Sequence, residues 1–211
     1  MNEDELRAAW VMEPPKLTGR IQVADYDPAW PQLFRREAAR IRRVLGERVV
    51  LLEHVGSTSV PGLAAKPIID VLLIVPDSSD EPAWLPDLEA AGYVLVIREP
   101  GRHQHRCLKG PDTNVNLHVY SPGCPEIERY LTFRDRLRGH PGDRARYQRV
   151  KRELAERDWT YVQEYADAKT EVVEEIIARA RAATAGTGPG LRPGPGAPLK
   201  PPRHVHNSST P

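Results

Sequence analysis

The run Ile68-Ile69-Asp70-Val71-Leu72-Leu73-Ile74-Val75 constrains this chain more than any other segment. Successive side chains of a strand point to opposite faces, and here both faces are apolar apart from Asp70. A strand of that kind must be covered on both sides, which predicts a place at the centre of a sheet with other layers above and below it. Asp70 then needs an explanation. An unpaired carboxylate within such a run is costly, so it requires a cation, a metal ion or several hydrogen-bond donors.

Other segments supply the rest of an α/β pattern. Ile21-Gln22-Val23 alternates as a short strand. Asp27-Pro28 reads as a helix start, with Asp as N-cap and Pro at the first helical position. Phe34, Ile41 and Leu45 share one face of that helix, and Gly46 ends it. Val49 to Val55 reads as a strand, and Gly56 to Pro61 as a turn or loop. A helix is expected over 81–91 and a strand over 93–97. Arg106 to Lys109 and Val115 to Tyr120 flank the turn signal Gly110-Pro111-Asp112 and read as a hairpin.

From Pro125 onward the pattern is helical. One helix carries Ile127, Tyr130, Leu131 and Leu137 and ends near Gly139-His140-Pro141. Asp143 is expected to cap a second, with Tyr147, Val150 and Leu154. A last helix uses Tyr161, Tyr165, Val172, Val173, Ile176 and Ile177. The domain reading is therefore a flexible leader over 1–20, one folded domain over 21–182, and a disordered Pro/Gly-rich tail over 183–211. His204 and His206 in that tail read as solvated rather than metal-binding.

The net charge of +1 supplies no global field for nucleic acid or an anionic membrane. Any anion site must come from a local cluster. No stretch reaches the roughly 18 apolar residues of a membrane span, and the acidic start MNEDELRAAW is unlike a secretory signal. These features point to a cytoplasmic protein with Cys107 and Cys124 reduced.

The loop Gly56-Ser57-Thr58-Ser59 lies between the 49–55 strand and the Asp70 strand. Glycine lets backbone approach a phosphate closely, and small hydroxyl residues can donate to its oxygens. A divalent cation shared by Asp70 and a nucleotide's phosphates would satisfy the carboxylate and set up phosphoryl-type transfer. The competing reading is a Ser/Thr turn beside an Asp paired with a structural Lys or Arg. His54 and Glu53 are adjacent on a strand, so only one can face a site with Ser57; His54 either positions a phosphate or closes the turn. Lys66 neutralises either a phosphate or a carboxylate. His103 and His105 fall in a polar segment that reads as a loop. Arg134 and Arg138 share a helical face and can grip phosphate oxygens in a forked geometry.

The stretch His54-Val55-Gly56-Ser57-Thr58-Ser59-Val60-Pro61-Gly62-Leu63-Ala64-Ala65-Lys66-Pro67-Ile68-Ile69-Asp70 resembles the signature of the GrpB family, also called UPF0157. The resemblance extends over residues 21–180 and takes in Asn116-Leu117-His118-Val119 and the segment from Phe133 to Pro141. It implies an α/β (α+β) fold of the nucleotidyltransferase superfamily: a mixed β-sheet with flanking helices and a helical C-terminal half. Relatives also occur as the C-terminal domain of some dephospho-CoA kinases. This chain has no Gly-x-x-x-x-Gly-Lys-Ser/Thr loop, so kinase activity is not carried over.

The superfamily pattern is Gly-Ser, a spacer, an Asp-x-Asp/Glu pair on a strand, and a third carboxylate on a later strand. Gly56-Ser57 and Asp70 match it. Leu72 stands at the second carboxylate position and cannot bind a metal. The later strand offers Asn116 and His118 on one face, although Mg²⁺ prefers oxygen to imidazole.

The resemblance thus implies catalytic roles for Asp70, Ser57 and His118, with Asp70 and His118 holding Mg²⁺ or Mn²⁺. It implies nucleotide contacts from His54, Gly56, Ser57, Thr58, Ser59, Lys66, Arg134, Lys151 and Lys169. The expected reaction moves a nucleotidyl group from an NTP to an unknown acceptor. A small molecule is favoured as acceptor because no basic, aromatic-studded groove announces nucleic acid. The alternative is a non-catalytic ligand-binding or regulatory module, which the leucine at position 72 favours.

Overall fold

A computed structural model describes residues 3–186. Five strands form one mixed sheet: β1 (Leu51–Val55), β2 (Ile69–Ile74), β3 (Val94–Glu99), β4 (His105–Lys109) and β5 (Val115–Tyr120), in the order β1-β2-β5-β4-β3. Strand β2 runs antiparallel to β1 and parallel to β5, while β4 is antiparallel to both β5 and β3. The helices are α1 (Glu3–Ala9), α2 (Trp30–Leu45), α3 (Leu85–Ala90), α4 (Pro125–Gly139), α5 (Pro141–Ala155), α6 (Val162–Asp167) and α7 (Thr170–Gly186).

The two-sided apolar run behaves as its pattern requires. Val71 and Leu73 enter the main core with Ile41 and Leu45 of α2 and Leu88 of α3. Leu72 and Ile74 enter a second core with Val55, Tyr120 and the α4 residues Ile127 and Leu131. Full burial of each such side chain is worth about 1.5–3 kcal/mol. The expected central place is corrected in one respect: β2 is interior, but β5 is the middle strand. Apolarity on both faces reports covering layers, not the number of strands on either side.

Several other expectations are corrected locally. Residues 21–23 form no strand; Ala24 alone bridges to Ala65, and Ile21 packs with Leu154 and Tyr165. The first long helix starts at Trp30, because Asp27 shapes the preceding turn, its Oδ1 accepting from the Ala29 N–H at 2.8 Å. The 81–91 segment splits into a 3₁₀ turn, Glu81–Ala83, and the short α3. Asp143 does not cap α5. His140 does, with its ring Nδ1 accepting from the Asp143 N–H at 3.1 Å, while the Asp143 carboxylate binds Arg136 and Arg179. The last helical segment is two helices, α6 and α7, and α7 continues through Gly186. The tail beyond it, with His204 and His206, lies outside the described residues.

The leader is tied down over its described part. Leu6 and Ala9 of α1 are buried. Trp10 bridges to Ile97 on β3, and Lys16 bridges to Tyr161 before α6. The Leu17 N–H donates to the Thr160 carbonyl at 2.9 Å. The leader therefore spans from the sheet to the helical half. No helix among the described residues is long and apolar enough to cross a membrane.

Candidate functional site

That span roofs a cavity of about 1120 Å³ between the β2–β5–β4 face of the sheet and the helical half. Its floor is set by strand register. Asp70 on β2 pairs with Asn116 on β5, and Leu72 pairs with His118. Residues two apart on a strand share a face, so Asp70, Asn116 and His118 all face α4. Asn116 donates Nδ2–H to Asp70 Oδ1 at 2.9 Å, and its Oδ1 accepts from Lys109 Nζ at 2.5 Å. His118 Nε2 lies 3.8 Å from Asp70 Oδ1. Burial opposes the charge on Asp70, but His118, Asn116 and Lys66 hold its carboxyl below the usual range.

The loop after β1 forms the near wall. Gly56 adopts φ 68° and ψ −173°, a region essentially restricted to glycine. Ser57–Ser59 makes one 3₁₀ turn, and Gly56, Ser57 and Thr58 line the cavity. The Thr58 hydroxyl donates to the Ile68 carbonyl at 2.9 Å, tying this loop to the entrance of β2. That hydroxyl has one proton. The 3.1 Å contact with His54 is therefore an Nε2–H donated by the histidine.

His54 is buried, stacks on Phe34 at 4.7 Å, and has its pKa pushed down to about 4 by burial. It holds the loop from behind and does not line the cavity. Ser59 is turned the same way, its Oγ donating to the Gly56 carbonyl at 2.6 Å.

The far wall is cationic. Lys151 of α5 is buried, with Nζ donating to the Ala64 carbonyl and lying 4.8 Å from the Tyr147 ring centre. Lys169, between α6 and α7, and Lys66, before β2, flank the Tyr165 ring at 4.0 Å and 5.3 Å. Burial lowers all three pKa values, to about 7 for Lys151 and Lys169. Lys169 lowers Lys151 further, and Lys66 lowers Lys169. Asp70 opposes each of these shifts. The lysines thus crowd together around Asp70, with Asp167 also beside Lys169, which suits a multiply charged anion.

Arg134 is placed elsewhere. Its Nη1 donates to Glu53 Oε2 at 2.7 Å and to the His54 carbonyl at 3.1 Å, and its Nε donates to Asp135 at 2.7 Å. Arg138 donates twice to the Ser59 carbonyl, at 3.0 and 2.9 Å. The forked geometry is used to clamp α4 onto the end of β1 and its loop. A phosphate contact from Arg134 is replaced by this structural role.

Three contributors escape a reading from sequence. Lys109 is one, reaching the site through Asn116. The others are Glu99 and His105. His105 is the first residue of β4, not part of a loop; the turn before it takes positive φ at His103 and Gln104. Glu99 Oε2 is 2.7 Å from His105 Nδ1, and His105 Nε2 is 3.1 Å from His118 Nδ1. Cross-strand register is the only signal that joins them.

Comparison with known proteins agrees with this architecture. The GrpB protein family model matches residues 20–179. The chain belongs to the GrpB family. A UPF0157 protein of Halalkalibacterium halodurans is 56% identical over 180 residues, covering 85% of this chain and 92% of its own. The crystal structure of the conserved protein GrpB from Enterococcus faecalis superposes with a TM-score of 0.69 at 35% identity, over 78% of this chain and 99% of its own. A dephospho-CoA kinase of Mycolicibacterium paratuberculosis is 28% identical over 65% of this chain and 40% of the kinase. In this GrpB-family chain the signature segment from His54 to Asp70 divides its labour: Gly56, Ser57, Thr58, Lys66 and Asp70 line the cavity, while His54 and Ser59 hold the loop.

Proposed function

We propose that this GrpB-family protein binds a nucleoside triphosphate in the cavity and transfers its nucleotidyl group to an unknown small-molecule acceptor. The observation that carries the reading is the facing of two unlike groups across one cavity. Lys66, Lys151 and Lys169 suit a polyphosphate, and Asp70 with His118 suits a divalent cation at the reacting phosphate.

The donor set fits such an ion. Asp70 Oδ1 and His118 Nε2 are close enough to share one cation, and Leu72 contributes nothing because its hydrocarbon side chain has no donor atom. Among the described residues no group of three His, Cys, Asp or Glu side chains gathers to cage a metal. Two protein donors leave room for phosphate oxygens and water, as Mg²⁺ and Mn²⁺ sites on nucleotides require. When bound, the cation would supply charge neutralisation at the phosphate.

The chain's own residues do the rest. The Gly56–Thr58 loop offers close backbone approach and the Ser57 hydroxyl. The lysines stabilise the charge that develops on the leaving pyrophosphate. As the acceptor's nucleophilic atom bonds to the α-phosphorus, its proton is released to water, the α–β anhydride bond breaks and pyrophosphate leaves. The leader and the aromatic rings of Tyr147 and Tyr165 narrow the cavity toward small acceptors.

Incubation with each NTP and Mg²⁺ or Mn²⁺, following pyrophosphate release alongside binding, tests this. Release abolished by Asp70→Asn supports transfer; release unchanged in that variant removes the metal assignment. A second reading, a non-catalytic nucleotide-binding module, is favoured by the buried Leu72 where relatives of the superfamily pattern carry a carboxylate. Tight binding without turnover for any acceptor would select it.

A further inference from the structure

Helix α2 turns two unlike faces to its surroundings. Ala38, Ile41 and Leu45 enter the main core with Val71 and Leu73. Val71 and Leu73 point away from the face that carries Asp70, so α2 lies on the side of the sheet opposite the cavity. Its outward face carries Arg35, Arg36, Arg42 and Arg43, all exposed. Seven residues make about two turns, so Arg35 lies in line with Arg42 and Arg36 with Arg43, the two pairs about 10 Å apart along the axis. No carboxylate shares that face. Glu37 is the one acidic residue of the helix, and it is buried.

The acids around this helix are already engaged. Glu37 accepts from the hydroxyls of Tyr93 and Thr113, each at 2.7 Å, and Asp112 accepts twice from Arg40, at 2.7 and 3.0 Å. Arg36 reaches Thr113 and Glu37. The side chains of Arg35, Arg42 and Arg43 have no ion-pair or hydrogen-bond partner among the described residues. Exposed arginines elsewhere do: Arg7 pairs with Glu3, Arg102 with Glu99, Arg152 with Asp25 and Arg181 with Glu128. The helix dipole favours cations in the last turn, which accounts for Arg42 and Arg43 but not for Arg35 and Arg36 in the second turn. In a chain of net charge +1 this face is a local concentration of positive charge.

We infer that the outer face of α2 binds the phosphate backbone of a double-stranded nucleic acid without reading its sequence. Duplex DNA presents one negative charge per about 1.7 Å of its axis, a density that meets a rigid row of arginines, and the guanidinium fork matches phosphate oxygens. The face has no exposed aromatic ring on which unpaired bases could stack, which favours a duplex over a single strand. It has no apolar residue larger than Ala39 to enter a bilayer, which favours nucleic acid over an anionic membrane. The small-molecule acceptor proposed for the cavity is unaffected, because the two surfaces lie on opposite sides of the sheet.

The test uses the full chain and fluorescein-labelled DNA and RNA duplexes of unrelated sequence, read by fluorescence anisotropy over a series of salt concentrations. The expected result is micromolar binding at low salt that weakens as salt rises. Replacing all three unpaired arginines, Arg35→Gln, Arg42→Gln and Arg43→Gln, weakens it at least tenfold. It also reduces the slope of log affinity against log salt by about 2–3 for DNA, near 0.9 per lost phosphate contact. A control with Arg149→Gln and Arg157→Gln, which removes exposed charge in and after α5, keeps the wild-type affinity. Thermal melts confirm folding of each variant. No binding of either duplex at low salt, an equal loss in the control, or unchanged affinity and slope in the triple variant overturns the inference. Phosphatidylserine vesicles and polyglutamate serve as competitors. Displacement of the duplex by either at equal charge concentration also overturns it, and assigns the face to a membrane or to an acidic protein. No NTP enters the measurement, so the nucleotide proposal stands or falls separately.

Discussion

A Cβ atom at position 56 would lie 2.2 Å from Oδ2 of Asp70. The signature glycine is therefore needed twice, once for its left-handed backbone and once for the carboxylate packed against it. Gly56→Ala forces either the loop or Asp70 to move. It is expected to cost about 1–3 kcal/mol from backbone strain alone and to weaken ATP binding by tenfold or more. Urea unfolding and calorimetric titration check the two effects. Wild-type affinity in a stably folded variant would show that the loop–carboxylate contact has no part in binding.

If the lysine wall holds the polyphosphate as proposed, binding will depend on pH. Lys151 and Lys169 titrate near 7 in the folded protein and near 10.5 when exposed. Between those values the unfolded chain binds more protons than the folded one, so stability rises with pH across that window. The penalty of charging the buried lysines is fully present below about 7. Anion binding runs the other way, because tripolyphosphate needs the protonated forms. Its affinity is expected to fall by tenfold or more from pH 6 to pH 9, measured by titration calorimetry. A flat profile would mean that the lysines do not meet the ligand.

His54 gives an opposite vantage on the same loop. Its folded pKa of about 4 lies below the ordinary 6.5 because burial disfavours the charged ring. Between these values the unfolded chain takes up a proton that the folded one refuses, so stability is lost as pH falls from about 6.5 to about 4. The loss attributable to this residue is on the order of 3 kcal/mol. His54→Gln should flatten the slope of unfolding free energy over that range and leave ATP affinity at neutral pH within a few-fold. A large loss of affinity would place His54 in contact with the ligand.

The leader offers a local test. Leu6 is buried, and the segment bridges Ile97 on β3 to Tyr161 before α6. Leu6→Ala is expected to remove about 2 kcal/mol of packing, raise hydrogen exchange at Trp10 and Leu17, and speed nucleotide dissociation. Dissociation at the wild-type rate despite faster exchange would separate the leader from the site.

Much of this architecture is legible in the chain itself. Two-sided apolarity marks β2 as interior, and the turn Gly110-Pro111-Asp112 marks the β4–β5 hairpin. The glycine loop and Asp70 mark the cavity because a carboxylate within an apolar strand needs company. What stays hidden depends on register and on distant helices. Glu99 reaches His118 only because β3, β4 and β5 are aligned to place His105 between them. Arg134 looks like a phosphate ligand until Glu53 and the His54 carbonyl are seen to occupy it. The leader looks loose because its anchors, Ile97 and Tyr161, are far away in sequence.

The central claim is that the lysine wall and Asp70 together hold a nucleoside triphosphate and its metal. Calorimetric titration of ATP with Mn²⁺ into the wild type, Lys151→Met, Lys169→Met and Asp70→Asn tests it most directly. Binding should weaken at least tenfold in either lysine variant, and the gain from Mn²⁺ should vanish in Asp70→Asn. Equal affinity across all four proteins, or no binding of any NTP to the wild type at millimolar concentration, would contradict it.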